Sequence, residues 1–286
     1  PLPVQGTLGN DTIAGSGAAD EIAGDAGDDQ IRGFGADDTL RGGTGDDLLI
    51  GGAGNDAMGG EIGDDTLWGM QGADRMDGGN GNDVVNGDAG DDFLNGGRGS
   101  DVLRGGEDDD ILNGGNDNDV LVAGVGADLV NGDDGNDRII GFQGVSLPTA
   151  YLGLDDGAAD TLNGGNGRDT ITANDGDLVT GGAGEDLIRA LGLGQVGQET
   201  VTVTDFDPEE DVLMLVGTDG TDAALIDGEN LLVRATPDGA STEVLYRGQV
   251  IALLQDTNAE GLSLTQPWFG NVFALPSATP ATPVTL

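Results

Sequence analysis

The chain has 286 residues, 56 of them Gly, and carries 53 acidic residues against 10 Arg and no Lys, for a net charge of −43. It has no Cys and no His, which excludes disulfides, zinc–thiolate sites and every site that needs an imidazole. Such a charge repels nucleic acid and anionic membranes, and no segment approaches the roughly 20 apolar residues of a membrane span.

A nine-residue repeat runs without a slip from Gly6 to Ile140, which makes fifteen units. Disorder is the simplest interpretation of so charged a composition, but composition alone does not hold positions in register over this length. Position one is Gly in every unit except at Ala123, and position eight is always aliphatic or Met. Position six is always Asp: Asp11, Asp20, Asp29, Asp38, Asp47, Asp56, Asp65, Asp74, Asp83, Asp92, Asp101, Asp110, Asp119, Asp128 and Asp137.

One apolar position per unit cannot bury a face alone, so the units must stack on each other. Gly at positions one, two and four permits tight turns with positive φ, and positions seven to nine then form a three-residue strand with position eight inward. Two units make one coil, and stacked coils pair as parallel strands about 4.8 Å apart. The fold class predicted for 1–140 is therefore all-β, a right-handed parallel β-roll (a β-solenoid).

The repeat fails after residue 140, where Pro148 takes the place of the core aliphatic residue. We expect 141–154 to be a loop insertion. Units resume over 155–195 as a second, shorter run of the roll. The aspartates at its position six, which are further candidate ligands, are Asp160, Asp169, Asp177 and Asp186.

After residue 195 the nine-residue period vanishes. Residues 196–275 alternate as strands do and include a hairpin around Pro237-Asp238-Gly239, which predicts a β-rich module that caps the open end of the roll. Its Asp205, Asp207 and Asp211 either hold one further metal ion or are surface carboxylates.

The pattern GGxGxDxUx, as in GGTGDDLLI and GGAGNDAMG, resembles the RTX (hemolysin-type) calcium-binding nonapeptide, and it covers about two-thirds of the chain. The resemblance implies Ca²⁺ as the cofactor. Residues 196–275 also resemble the β-rich segment that ends many RTX proteins. The low-complexity residues 276–286 are predicted to be disordered and fit the uncleaved type I secretion signal of that family, with a plain tail as the alternative.

The resemblance also implies a ligand set. One turn supplies backbone carbonyls from positions two and four plus its Asp, and the turn two units further along supplies carbonyls from positions one and three plus its Asp. Oxygen ligands without nitrogen or sulfur favour Ca²⁺ over Zn²⁺ or Cu²⁺, and solvated carboxylates are the alternative. Two examples are Gly43, Gly45 and Asp47 with Gly60, Ile62 and Asp65, and Gly52, Gly54 and Asp56 with Gly69, Gln71 and Asp74.

The net charge of the repeat region supports the binding of many ions. Residues 6–140 carry 31 acidic residues and 6 Arg, a net charge of −25, and thirteen same-side pairs of units would hold up to 13 ions carrying +26. We expect on the order of ten or more Ca²⁺ ions, because an ion-free roll would crowd repelling carboxylates. The chain is therefore predicted to be largely unfolded without calcium and to fold as it binds.

Position seven is apolar in six consecutive units, which gives two outward ladders: Val84, Val102 and Val120 on one sheet, and Phe93, Ile111 and Leu129 on the other. They are either a surface for a protein or cell-surface partner, or solvated β-formers. An ice-binding face would need a regular Thr/Asn array, and positions three and five show none.

These features favour a secreted or cell-surface calcium-binding protein from a bacterium, exported by type I secretion, with a structural, adhesive or partner-binding role and no enzymatic activity. One alternative is the carrier and secretion region of a protease, lipase or epimerase whose catalytic domain is not in this chain. Another is a regulatory or inhibitory binding partner.

Overall fold

The computed structural model describes residues 3–142, 158–174, 176–193, 200–207, 210–217, 231–236, 240–246, 249–255 and 272–275. Within these residues the chain forms 26 β-strands in two sheets. No helix in the described part of the chain is long and apolar enough to cross a membrane.

Within the repeat region, successive strands alternate between the two sheets, because each nine-residue unit supplies one strand. The first sheet, in chain order, contains β1 (Val4–Gln5), β3 (Glu21–Ala26), β5 (Thr39–Thr44), β7 (Ala57–Ile62), β9 (Arg75–Asn80), β11 (Phe93–Arg98), β13 (Ile111–Asn116), β15 (Leu129–Asp134), β17 (Thr161–Asn166), β19 (Leu178–Ala183), β21 (Val201–Val203), β23 (Leu231–Ala235), β24 (Ser241–Tyr246) and β25 (Gln249–Gln255). The second contains β2 (Thr12–Ala14), β4 (Gln30–Gly35), β6 (Leu48–Ala53), β8 (Thr66–Gln71), β10 (Val84–Ala89), β12 (Val102–Glu107), β14 (Val120–Val125), β16 (Arg138–Ile140), β18 (Thr170–Ala173), β20 (Leu187–Leu193), β22 (Val212–Gly217) and β26 (Val272–Leu275).

Strands of neighbouring coils pair in parallel, and each residue lies opposite its equivalent two units further along, as in Val84 with Val102 and Val102 with Val120. This is the parallel β-roll that the repeat predicts. The expected three-residue strand is wrong, since most strands in the roll have twice that length. Pairing resumes beyond position one, at positions two and three of the next unit, as Asp88 with Gly106 shows.

The core is the row of position-eight side chains on each sheet. Leu94, Leu103, Leu112 and Leu121 have no exposed surface, and the same holds for most of their equivalents. Positions seven and nine face outward. Each inward side chain buries its apolar surface only against its stacked neighbours and the opposite row, so the core is thin and continuous along the roll.

The roll continues across the interruption in the repeat. β15 pairs with β17, and Leu129 lies opposite Thr161. An uninterrupted repeat would place Leu147 at that position, and the shift from 147 to 161 equals the length of the predicted insertion, 141–154. Residues 143–157, which contain almost all of that predicted loop, lie outside the described residues.

Beyond residue 200, antiparallel pairs appear beside the parallel ones. β21 pairs in parallel with β19 and with β25, whereas β25, β24 and β23 form an antiparallel meander and β26 is antiparallel to β22. The predicted hairpin joins β23 and β24, and its tip at 237–239 lies outside the described residues, as do 276–286. The fold is therefore a β-roll followed by a smaller β-rich module at its C-terminal end.

Candidate metal centre

The position-six aspartates form two columns, here called the inner ladders. The backbone N–H of each Asp donates to Oδ1 of the Asp one coil further along, with N···O distances of 2.7–3.1 Å. One ladder contains Asp11, Asp29, Asp47, Asp65, Asp83, Asp101, Asp119, Asp137, Asp169, Asp186 and Asp211. The other contains Asp20, Asp38, Asp56, Asp74, Asp92, Asp110, Asp128, Asp160 and Asp177.

The second carboxylate oxygen of these residues, Oδ2, is unusual because in most interior members it is buried without a hydrogen-bond donor among the described residues. Interior members of the ladders are at most 3% exposed. Among the described residues, Oδ2 is buried and has no hydrogen-bond donor in Asp29, Asp38, Asp47, Asp56, Asp65, Asp74, Asp83, Asp92, Asp101, Asp110, Asp119, Asp137, Asp169 and Asp186. Because a buried carboxylate oxygen without a donor is strongly unfavourable, each of these atoms requires a proton or a cation.

Position-one glycines make room for these oxygens. A Cβ on Gly60 would lie 2.6 Å from the carbonyl oxygen of Gly78 and 2.7 Å from Cβ of Asp65, with Oδ2 of Asp65 closer still. Two acceptor oxygens, one from a carboxylate and one from the next coil's backbone, thus converge where a side chain would be. The same arrangement recurs at Gly69, where Oδ2 of Asp74 and the carbonyl oxygen of Gly87 approach.

The backbone residues expected as ligands lie in these turns. Gly45 N donates to Ile62 O at 2.9 Å, and Gly54 N donates to Gln71 O at 2.9 Å, so the position-three carbonyls face the preceding coil and each retains a lone pair. Gly43 and Gly52, at position two, have φ of 121° and 124°. The structure thus brings both predicted sets into neighbouring coils, and their role as ligands remains a prediction.

The expected positive φ at position one is wrong, because positive φ occurs at positions two and four. Position one needs glycine for space and not for backbone conformation. At position four, Ala36, Asp108 and Asp117 adopt φ of 70°, 77° and 77°, so these departures from Gly keep the turn geometry. Ala18 does not adopt a positive φ.

Burial raises the pKa of the inner carboxylates. It raises the pKa of Asp110 and Asp119 to about 8, and that of Asp65 and Asp83 to about 7. The backbone N–H donated to each carboxylate opposes the effect, and neighbouring carboxylates add to it. These groups therefore bind a positive charge, proton or metal, more readily than an exposed Asp does.

The donor set fits a hard cation. No group of three or more acidic side chains that could hold a metal forms among the described residues. A site here would therefore combine carboxylate and backbone carbonyl oxygens, such as Oδ2 of Asp65 and the carbonyl oxygen of Gly78, which approach each other beside Gly60. A mixture of carboxylate and carbonyl oxygens is the chemistry that Ca²⁺ prefers.

A second pair of columns, here called the outer ladders, lies one residue earlier, at position five. Asp64 N donates to Asp46 Oδ1 at 2.9 Å, and Asn82 N donates to Asp64 Oδ1 at 2.7 Å. The outer ladders were not predicted, although their signal is present in the repeat: eleven of the fifteen units carry Asp or Asn at position five.

The C-terminal aspartates take different positions. Asp211 is buried and continues an inner ladder, accepting the N–H of Asp186 at 3.1 Å. Asp205 instead accepts the N–H groups of Gly181 and Gly182 at 2.9 and 2.8 Å, so it caps the part of β19 that β21 does not cover. The two predicted outward ladders are in register, and Ile111 and Leu129 are each 38% exposed.

The family comparison agrees with this repeat geometry. The family model of the RTX calcium-binding nonapeptide repeat (four copies) matches residues 5–33, 32–67, 59–94, 68–103, 86–121, 114–144 and 155–188, more than half of the chain. No curated protein matches the chain. Among solved structures, a hyperactive, Ca²⁺-dependent, β-helical antifreeze protein from an Antarctic bacterium is similar at 21% identity and a TM-score of 0.41, over 73% of this chain and 81% of that one.

Proposed function

The chain belongs to the RTX calcium-binding nonapeptide repeat family, and from this premise we propose that it is a secreted or cell-surface protein of a bacterium that folds on binding extracellular Ca²⁺. Folded, it serves a structural, adhesive or partner-binding role. The observation that carries the proposal is the row of buried Oδ2 atoms that have no hydrogen-bond donor within the described residues.

Calcium would be held between neighbouring coils on the same side. For the coils of Asp47 and Asp65, the carbonyls of Gly43, Gly45, Gly60 and Ile62 and the two carboxylates would hold it. Bound there, the ion supplies a positive charge that neutralises the carboxylates and cross-links two turns. The chain's own contribution is to fix the carboxylates through the 2.8 Å bond from Asp47 N to Asp65 Oδ1.

Folding and metal binding are coupled in this arrangement. In the unfolded chain the aspartates are far apart and hydrated, so the sites exist only once the coils stack. Modules of this kind bind Ca²⁺ at about 10⁻⁴–10⁻³ M outside cells, far above its level in a cytosol. Mass action then favours the unfolded chain inside and the folded roll outside.

A calcium titration of chelator-treated protein tests this proposal directly. We expect far-UV circular dichroism to change from unfolded to β as Ca²⁺ is added, and calorimetry to count on the order of ten ions. Mg²⁺ at the same concentration should fail, because it tolerates carbonyl-rich, irregular sites poorly. A complete β spectrum in excess chelator at neutral pH, or only one or two bound ions, contradicts the proposal.

The outward ladders support the partner-binding part of the proposal. Val84, Val102 and Val120 are stacked in register on the second sheet and are half-buried. Replacing all three by Thr retains β propensity and should release the protein from the surface of the producing cell into the medium. The matched control replaces Phe93, Ile111 and Leu129 of the other sheet by Thr. If both variants remain on the cell surface to the same extent, neither ladder is the partner-binding surface.

A further inference from the structure

The ends of the inner ladders differ from their interior. At the fourteen interior aspartates named above, from Asp29 to Asp186, Oδ2 is buried and has no donor among the described residues. At the first and last aspartate of each ladder, Oδ2 accepts a hydrogen bond from a residue three or four positions earlier in the chain. The four ends are therefore closed by the protein itself.

The N-terminal closures use a hydroxyl residue at position two. Thr7 donates to Asp11 Oδ2 through its backbone N–H at 2.6 Å and its hydroxyl at 2.9 Å. Ser16 does the same for Asp20, at 2.6 and 2.9 Å. From the third to the fifteenth unit, position two adopts positive φ, whereas neither Thr7 nor Ser16 does.

Each C-terminal closure includes a backbone N–H donor. Asn174 N donates to Asp177 Oδ2 at 2.8 Å, and Asp207 N donates to Asp211 Oδ2 at 2.8 Å. Asp211 lies beyond the last residue matched by the repeat family, 188. The non-repeat module thus supplies both the last carboxylate of one ladder and the donor that satisfies it.

We infer that Thr7 and Ser16 are metal-free caps that determine where the calcium array begins. This inference rests on the proposed function. A donor hydrogen that points at Oδ2 occupies the lone pair that a cation needs and places a positive partial charge in its way. Asp11 and Asp20 therefore hold no Ca²⁺ through Oδ2, and the first ions bind at the carboxylates of Asp29 and Asp38.

The test is to convert the caps into ordinary repeat turns. The variant T7G/S16G restores Gly at position two, which permits the positive φ seen in later units and removes the hydroxyl donors. Native mass spectrometry of the calcium-loaded protein should then show two additional ions. The control T39G/S100G makes the same substitutions at positions seven and five of interior units, which supply none of the expected ligands, and should leave the ion count unchanged.

A second variant removes the hydroxyls without freeing the site. In T7V/S16A the backbone N–H donors remain, so the ion count should stay at the wild-type value, while amides of residues 4–14 exchange with solvent about tenfold faster. An unchanged ion count in T7G/S16G, or a gain equal to that of the control, overturns the inference. Absence of calcium from all variants would instead reject the proposed function.

Discussion

The inner and outer ladders both consist of stacked side chains with an oxygen acceptor, and they differ by one position in the repeat. Asp65 and Asp64 are adjacent, and both accept a backbone N–H from a neighbouring coil. In the inner ladder the donor belongs to the preceding coil and the carboxylate is 1% exposed, whereas in the outer ladder the donor belongs to the following coil and the carboxylate is exposed. Residue type alone therefore does not distinguish the proposed ligands from the outer carboxylates; burial and the coil that supplies the N–H donor do.

The comparison also explains why the inner ladder is the unstable one without a cation. Water completes the hydrogen bonding of an exposed Asp64, but it cannot reach Oδ2 of Asp65. Stacking many such buried carboxylates adds their mutual repulsion to the loss of hydration. The roll is thus built on groups that favour unfolding until a positive charge is bound.

The largest effect should come from removing calcium at different pH values. In chelator, burial holds the pKa of Asp110 and Asp119 at about 8, above the ordinary value near 4, so the folded state binds more protons between about pH 4 and 8. Stability of the calcium-free roll should therefore fall as pH rises through this window. With calcium the sign reverses, because protons compete with the metal.

Circular dichroism measured as a function of pH, once with chelator and once with calcium, tests these opposite pH dependences. We expect β structure in chelator at about pH 5 and its loss by about pH 8, with the calcium-loaded roll retained at the higher pH. A calcium-free chain that gains structure on going from acid to alkaline pH would contradict the assignment of the buried carboxylates.

Replacing one Asp in each ladder gives the next largest effect. D65N removes a charge from an inner ladder and should lose at least one bound ion and about 3 kcal/mol of stability in calcium, as expected when one partner of a buried ionic contact is removed. D64N makes the same charge change but keeps the Oδ1 that accepts Asn82 N. It should change stability by less than about 0.5 kcal/mol.

The measurements are chemical denaturation in saturating calcium and ion counting by mass spectrometry. Equal losses in D65N and D64N would mean that net charge, and not the site, controls stability.

A methyl group added at Gly60 tests the space beside Oδ2 of Asp65 and the Gly78 carbonyl oxygen. G60A places Cβ against the Gly78 carbonyl and Asp65, and should cost about 1–3 kcal/mol and weaken calcium binding at that coil. G59A, one residue earlier, meets nothing within 4 Å and lies outside the positive-φ region. It should be neutral or stabilising by up to about 1 kcal/mol, since Ala restricts the unfolded chain.

Thermal unfolding in calcium measures the stability of G60A and G59A, and calcium titration then measures their affinity for the ion. If G60A binds calcium with wild-type affinity, Oδ2 of Asp65 and the Gly78 carbonyl are not part of the site.

Much of this architecture follows from the sequence, because position eight is invariantly apolar and a strict nine-residue period admits few stackings. The offset between Leu129 and Thr161 follows too, since the phase shift in the repeat gives the length of the insertion. The full strand length does not follow, because pairing beyond Gly87 depends on backbone that carries no hydrophobic signal. Nor do the caps, because the sequence places hydroxyl residues at position two only in the first two of the fifteen units, and it does not show that Thr7 and Ser16 donate to the carboxylates of their own units.

The smallest expected effect is a gain at a gap in an outer ladder. Ala73 N donates to Asn55 Oδ1 at 3.0 Å, but Ala73 has no side-chain acceptor to offer to Asp91 in the next coil. A73N supplies an amide oxygen at that place, so one more N–H would be satisfied without any change in charge. Since such a bond contributes about 0.5–1 kcal/mol, denaturation in calcium should show a gain of that order, whereas A73S, whose shorter side chain reaches less far, should show less. A gain in A73S as large as that in A73N would show that the added amide oxygen is not what stabilises this turn.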